Sequence, residues 1–491
     1  AFLDHHHDAG LDRIIDFEIA LMDLSNRHFL VLGLGATGRS SARWLLEKGA
    51  MVRVADSRTT PPQLAEIRAA LGAAQIVTGE FSEQLLENID TVVVSPGLPL
   101  DLPLIQSAEQ RGLLVLGDIE LFALELQDSK PQLRKPVRVV GITGSNGKST
   151  VTTMIGEMCQ RAGLKTVVAG NIGLPVLDAL PRKLTEWPDV FVLELSSFQL
   201  ESTSSLRCDV AVILNISEDH MDRYATLDDY IAAKARLLKN STVQILNRDD
   251  ERVLGMAHEP QRSILFGMRP AAQIHDWGVE RVQGEMWLVE GRRKIMRVAE
   301  LPLTGTHNVS NALAALAACR ALRLPEAPLV AALRAFKGLP HRVQRVATVS
   351  GVSFYDDSKG TNVGATVAAL KGMEQKVVLI AGGDGKGQDF SPLREAVRDH
   401  ARAVVLIGRD REQIARELHD LDVPMVRAAT MSEAVTLGFG RAKSGDAVLL
   451  SPACASFDMF RDYAHRAQVF VAAVEALHQR IREQSASNGS H

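Results

Sequence analysis

Short aliphatic runs alternate with stretches of helical period along most of the chain, and each run tends to end at a glycine-rich or polar turn. The first run, His28–Leu34, is followed by Gly33, Gly35 and Gly38 and then a helical pattern through Leu46. Strands are predicted at Met51–Ala55, ending on Asp56, and at Thr91–Val94, running into Ser95, Pro96 and Gly97. This Rossmann-like block closes near residue 120. Gln127–Pro136 is polar, carries two prolines and reads as a linker or exposed loop. A second block opens with Val137–Ile142 and continues through Thr166–Val168, Val190–Leu195, Val210–Leu214 and Val243–Leu246. The alanine-rich helix Asn308–Ala321 ends it. Between Gly338 and Arg342 the pattern restarts, with strands at Ser353–Tyr355, Val377–Ile380, Ala403–Ile407 and Ala447–Leu450. The alternation predicts an α/β protein built on parallel sheets. Its expected domains are residues 25–120, 121–338 and 339–491, behind an appendage at 1–24. His5, His6 and His7 lie in that appendage and read as incidental, and Met22 would be a natural start.

Composition narrows the function. A length of 491 residues is long for one core, and 46% hydrophobic with 23% charged residues is ordinary for a globular protein. The formal net charge of -4 gives no electrostatic case for nucleic acid. The four cysteines, Cys159, Cys208, Cys319 and Cys454, are scattered and suit a reducing, cytoplasmic setting better than disulfides or zinc. No apolar run approaches the roughly 18–20 residues of a membrane span, so membrane insertion is not expected.

Candidate chemistry sits where strands end. Gly33, Gly35 and Gly38, with Asp56 one half-unit later, are the pattern of a diphosphate-binding turn. Alone they are compatible with NAD, another nucleotide or a tight turn. Residues Thr143, Gly144, Ser145, Asn146, Gly147, Lys148, Ser149 and Thr150 form a stronger signal. Backbone N–H groups of such a loop cradle phosphates, a lysine reaches the terminal ones, and a serine hydroxyl can ligate Mg²⁺. Ile142 stands where the strict pattern wants glycine. Glu194 ends an aliphatic strand and is placed to hold Mg²⁺. Asp219, His220 and Asp222 crowd one turn after another strand, whereas Lys234, on the following helix, reads by itself as a surface lysine. Three loops of the last block, 355–362, 381–388 and 451–457, each follow a strand, so they can converge on one site and bring Lys359 and Lys386 to an anion.

Taken together, Leu193–Glu201, Glu218–Arg223, Asp357–Asn362, Ser451–Phe457 and the phosphate loop resemble the Mur ligase family, over about Phe29 to Phe470. The branch resembled is the one that joins D-glutamate to UDP-N-acetylmuramoyl-L-alanine in peptidoglycan precursor synthesis. The Asp-Asn-Pro-Arg run of the diamino-acid branch is absent. Gly360 replaces an expected alanine, Tyr463 stands at an expected aromatic position, and the stretch from His220 to Lys234 is one residue short.

The resemblance implies an N-terminal Rossmann-like domain for UDP, a central ATPase and a C-terminal Rossmann-like domain for the amino acid, working as a monomer. Thr37, Asp56, Ser57, Arg58, Gly97, Asn171, Ser196 and Gln199 would contact the UDP substrate, Asn171 also matching an ATP position. The 144–150 loop with Asn308, Asn311, Arg342 and Asp357 would hold ATP. Lys359, Thr361, Lys386, Ser456, Phe457 and Tyr463 would hold D-glutamate. Ser149 and Glu194 would hold one Mg²⁺, with His220 and a CO₂-carbamylated Lys234 on a second, and Lys148 would stabilise the transferring phosphoryl group. An acyl phosphate is the implied intermediate. A folylpolyglutamate synthetase shares the central and C-terminal chemistry but needs no N-terminal Rossmann block, and a dehydrogenase leaves Lys148 and Ser149 unexplained.

Overall fold

The computed structural model describes residues 24–303 and 305–488. His5, His6, His7 and Met22 lie outside the described residues. Three sheets follow one another along the chain. The first contains β1 (His28–Leu32), β2 (Met51–Asp56), β3 (Gln75–Thr78), β4 (Thr91–Val94) and β5 (Leu114–Leu116). Its order is β3-β2-β1-β4-β5, every pair parallel. Helix α1 (Ala36–Glu47) follows the glycine turn, and α2 (Asp118–Ser129) leads out of the sheet. The predicted loop at 127–136 therefore begins three residues inside α2, whose buried stripe of Phe122 and Leu126 keeps it helical.

The second sheet comprises β6 (Arg138–Thr143), β7 (Thr166–Gly170), β8 (Val190–Glu194), β9 (Cys208–Ile213), β10 (Ser241–Asn247), β11 (Arg262–Phe266), β12 (Trp277–Val282), β13 (Glu285–Glu290) and β14 (Arg293–Arg297). The order β14-β13-β12-β11-β10-β9-β6-β8-β7 puts β6 between β9 and β8, parallel to both. Its last strands depart from the parallel expectation: β12, β13 and β14 form antiparallel hairpins. Gln283 and Gly284, both with positive φ, make the tight turn that joins β12 to β13. The helices that matter here are α3 (Lys148–Arg161), α4 (Ser197–Glu201), α5 (Leu227–Ala235) and α6 (Thr306–Ala321).

The third sheet holds β15 (Gln344–Val349), β16 (Val352–Asp356), β17 (Val377–Gly382), β18 (Ala401–Ile407), β19 (Met425–Arg427) and β20 (Ala447–Leu450). It is ordered β15-β16-β20-β17-β18-β19, parallel except for the β15–β16 hairpin. Helices α7 (Val363–Lys371) and α8 (Tyr463–Asn488) pack with it. The first two sheets share one apolar cluster, in which Phe29 and Val31 join Phe122, Phe191 and Leu195. The Phe122 and Phe191 rings meet edge to face at 5.1 Å. The third sheet keeps its own apolar clusters.

Candidate active site

Two clefts open at the carboxyl ends of these strands, where α/β folds place ligands. The first, about 520 Å³, lies between the first and second sheets. Gly33, Thr37, Asp56, Ser57, Arg58 and Gly97 line one wall, and Asn171 and Gln199 the other. Gly38 is required by close approach, since a Cβ there would come within 1.8 Å of the Gly33 carbonyl oxygen. Asp56 accepts from the Leu34 N–H at 2.8 Å and from Arg58 Nε and Nη2 at 2.8 and 2.7 Å. The guanidinium hydrogen bonds outweigh burial and hold its carboxyl down at about 2. Ser196 caps α4, its hydroxyl accepting from the Gln199 N–H at 3.2 Å.

The second cleft, about 250 Å³, lies between the central and third sheets. Asn146, Gly147, Thr150, Asn308, Asn311, Arg342 and Asp357 line it, with Gly364, Ala365, Ala368 and Ala369 of α7 opposite. The phosphate-type loop is shaped by Asn215, whose side-chain oxygen accepts from the Asn146 N–H at 2.8 Å while its amide donates to the Asn146 carbonyl at 3.0 Å. Gly147 has φ 84°, and a Cβ there would strike Asn311 Oδ1. Asp357 is buried and accepts from Ser451 Oγ at 2.7 Å; burial carries its carboxyl up to about 7.

Between the clefts lies a charged centre. Lys148 donates to the Gly144 and Ser145 carbonyls at 2.8 and 2.9 Å, and burial lowers its pKa against the pull of Glu194 and Asp219. Glu194 is not at the surface but 2% exposed. Its Oε1 accepts from Asn171 Nδ2 at 2.9 Å, and its Oε2 is buried without a hydrogen-bond partner. Lys234 departs furthest from its reading as a surface lysine, being 1% exposed. Its ammonium donates to the Gly144 carbonyl at 3.0 Å and lies 4.5 Å from the Tyr230 ring centroid. Burial, then the charge of Lys148, lowers its pKa well below the ordinary lysine range. His220 adopts φ 58°, and burial drops its pKa to about 4, so the imidazole is neutral at pH 7.

The three loops of the last block do meet, because β16, β20 and β17 are neighbours. Gln388 joins them, its Oε1 accepting from the Val363 N–H at 2.8 Å and its amide donating to the Ala453 carbonyl at 3.0 Å. Buried Arg466 binds the Ser358 and Cys454 carbonyls at 2.7 and 3.0 Å. These loops carry polar groups across to the central domain. Lys359 donates to Ser149 Oγ at 3.0 Å, Asn362 Nδ2 to Asn146 Oδ1 at 3.1 Å and to Asp219 Oδ2 at 3.0 Å, and Lys386 pairs with Asp219. Ser456 is buried, whereas Phe457 is 74% exposed, and the Lys359 ammonium lies 5.4 Å from the centroid of the Tyr463 ring.

Sequence reasoning left several of these participants without a role. Asp219 was one acidic residue in a crowded turn, yet it is the partner of two third-domain side chains. Asn362 could have been flagged by its place inside the 355–362 loop, whereas Asn146 is read from the sequence as part of the ATP loop but not as the partner of Asn362. The small-residue face of α7 carries no chemical signal in the sequence, because its contribution is the absence of side chains.

Among the described residues no three His, Cys, Asp or Glu side chains form a metal cluster. A Mg²⁺ that keeps waters and phosphate oxygens needs only one or two protein ligands. The unpartnered Glu194 Oε2 and the Ser149 hydroxyl suit that requirement.

Three family models match the chain in order: the Mur ligase MurD-like N-terminal domain over residues 27–117, the Mur ligase middle domain over 142–319 and the Mur ligase glutamate ligase domain over 341–454. The chain is 52% identical over 465 residues to the UDP-N-acetylmuramoylalanine–D-glutamate ligase of Nitrosomonas eutropha, covering 94% of this chain and 98% of that protein. With the Methylobacillus flagellatus protein of the same name it shares 54% identity over 461 residues, covering 94% and 99%. In fold it is similar to the UDP-N-acetylmuramate–alanine ligase of Thermotoga maritima, with TM-score 0.58 at 20% identity over 92% of this chain and 99% of that one. The MurF ligase of Thermotoga maritima, solved with ADP, gives TM-score 0.56 at 16% identity over 94% and 97%.

Proposed function

The chain belongs to the Mur ligase family, and from that premise we propose how its two clefts divide one reaction. The protein is an ATP-dependent ligase that adds D-glutamate to UDP-N-acetylmuramoyl-L-alanine in peptidoglycan precursor synthesis. The first cleft takes the UDP end of that substrate, with Thr37, Asp56, Ser57, Arg58, Gly97, Asn171 and Gln199 around it. The second takes ATP, with Asn308, Asn311, Arg342 and Asp357 about the nucleoside and the 144–150 loop on the phosphates. One observation supports the division above others: Asn171, in the wall of the first cleft, donates directly to Glu194 in the charged centre. A substrate anchored in the first cleft therefore ends at the groups that face the ATP phosphates.

A carboxylate is a poor electrophile, so amide formation requires its activation. The alanine carboxylate takes the γ-phosphoryl group of ATP, ADP leaves, the amine of D-glutamate attacks the acyl carbon, and phosphate departs. Lys148 stabilises charge on the transferring group. Lys359, Thr361, Lys386 and Ser456 orient the dicarboxylic amino acid on the third domain, with Phe457 and Tyr463 at its edge. Bound Mg²⁺ would neutralise the phosphates, with Ser149 and Glu194 holding one ion and His220 with Lys234 the other. An ammonium has no lone pair for a metal, so Lys234 serves there as a carbamate formed with CO₂. Its burial favours the neutral amine that carbamylation needs. The enzyme acts as a cytoplasmic monomer; in the structure, no helix among the described residues is long and apolar enough to cross a membrane.

Phosphate release measured with ATP, D-glutamate and UDP-N-acetylmuramoyl-L-alanine should require all three. Heavy oxygen placed in the alanine carboxylate should appear once in the released phosphate. Label retained wholly in product and substrate would exclude the acyl phosphate.

A further inference from the structure

Helix α2 enters the central domain with two buried carboxylates in its first turn, Asp118 and Glu120. Both grip the segment around α4, and they do so differently. Glu120 uses both oxygens on backbone donors, accepting from the Ser204 N–H at 2.6 Å and the Ser205 N–H at 3.0 and 3.2 Å. Asp118 spends one oxygen on a side chain, Oδ2 accepting from Gln199 Nε2 at 3.3 Å, and its Oδ1 is buried with no hydrogen-bond partner. Burial lifts the Asp118 carboxyl from 3.8 to about 6, so the protein bears a desolvated charge there at neutral pH. Packing is tight enough that a Cβ on neighbouring Gly117 would strike Ser202 Oγ.

Gln199 explains what that charge can do. Its Oε1 accepts from the Ser196 N–H and from Ser196 Oγ, both at 3.2 Å. Its Nε2 faces Asp118, and the side chain lines the first cleft. A primary amide has two donors on nitrogen. With Oε1 used by Ser196 and one Nε2 proton by Asp118, the second proton is the group left for a ligand. An amide of nearly symmetric shape can reverse, which would offer the cleft an acceptor instead. The Ser196 N–H only donates and the Asp118 carboxylate only accepts, so the two together permit one orientation; an asparagine at 118 would remove the second of these constraints.

We propose that Asp118 is a positioning residue, whose acceptor-only carboxylate acts with the Ser196 N–H to hold the Gln199 amide so that a single N–H is presented to an acceptor oxygen of the UDP-linked substrate. The inference rests on the assignment of the first cleft to that substrate. It makes Asp118 and Glu120 opposites, the first retained for binding and the second for stability.

The test uses the full chain with UDP-N-acetylmuramoyl-L-alanine, ATP and D-glutamate, comparing D118N, Q199A, D118N/Q199A and E120Q in KM, kcat and Tm. D118N should raise KM for the UDP substrate about ten-fold, the worth of one neutral hydrogen bond, with KM for ATP unchanged, and should raise Tm by removing the buried charge. In the Q199A background the same change should move KM less than about two-fold, because the pair acts as a unit. E120Q should lower Tm and leave KM as it was. A D118N chain that melts below wild type or fails to fold makes Asp118 structural and overturns the proposal, as does an unchanged KM or a full additive effect in Q199A. Wild-type protein without phosphate release dependent on the UDP substrate would instead defeat the functional reading on which the proposal rests.

Discussion

The two clefts are built by different means. The first and second sheets share a continuous apolar core, with Phe122 and Phe191 in contact, so their cleft is set by packing and backbone. Between the second and third sheets polar groups meet: Lys386 on Asp219, Asn362 on Asn146 and Asp219, Lys359 on Ser149, and the Asp389 N–H on Glu218. Shared apolar area holds a fixed geometry, whereas a few polar pairs are remade at small cost. On the proposed assignment, the long substrate thus has a seat fixed by packing, and the third domain is joined through the same charged groups that are proposed to meet substrates.

The sharpest way to break this contrast is at the charged centre. Lys148→Ala and Lys234→Ala should each lower kcat by about 10³-fold or more, as expected for lost phosphoryl-transfer electrostatics, with UDP-substrate binding retained in titration calorimetry. A short carboxylic acid should restore part of the Lys234→Ala activity. A fully active Lys234→Ala enzyme would remove the carbamate from the scheme. In the first cleft the equivalent damage should need only a methyl group. Gly38→Ala brings a Cβ to 1.8 Å from the Gly33 carbonyl oxygen. The turn must shift, at a cost of about 3 kcal/mol, and calorimetry should show UDP-substrate affinity lost while ATP binding survives.

At the polar junction the pH dependence should change. Burial alone would raise the Asp219 carboxyl, but Lys386 and His220 outweigh it and hold it near 2. Because that value lies below 3.8, the pair stabilises the fold above about pH 4, and the contribution is lost as pH falls toward 2. Lys386→Met leaves Asp219 buried without its cation. Stability at pH 7 should fall by about 3 kcal/mol, and the acid limb should move upward, measured by thermal melts between pH 3 and 8. An unchanged limb would mean that Lys386 does not pair with Asp219 in solution.

The same division decides what the sequence could reveal. Parallel strands and their glycine turns were legible because alternating runs and Gly33, Gly35, Gly38, Gly144 and Gly147 leave local signatures. The hairpins β12–β14 escaped, although Gln283 and Gly284 carry a turn signal, because their strands lack a clean apolar alternation. Lys234 read as a surface lysine because burial belongs to tertiary packing: Tyr230 covers it from its own helix, but the Thr143 hydroxyl and the Gly144 carbonyl reach it from 91 and 90 residues earlier in the chain. Asp219 and Asn362, 143 residues apart, were likewise invisible as a pair. Motif resemblance supplied roles that spacing alone left open, whereas Asp118 carries no motif at all and is found only by asking where its oxygens go.

The smallest expected effect belongs to Arg58, and it tests how far the first cleft depends on backbone. Asp56 is nearly buried and takes four hydrogen bonds, two from backbone N–H groups of Leu34 and Arg58 and two from the Arg58 guanidinium. The guanidinium is 51% exposed, so solvent screens it and its attraction cannot be credited in full. Arg58→Ala removes that half of the grip and keeps the Leu34 and residue-58 N–H donors. Stability should therefore fall by only about 0.5–1 kcal/mol at pH 7, less in high salt. The Asp56 carboxyl should rise from about 2 toward 3.8, so the stability that it lends, present above pH 4, should be lost at a higher pH during acidification. Carbon-detected titration of the aspartate would follow this directly. A loss comparable with that of Lys386→Met would show that side-chain charge, and not the glycine turn, holds the first cleft in shape.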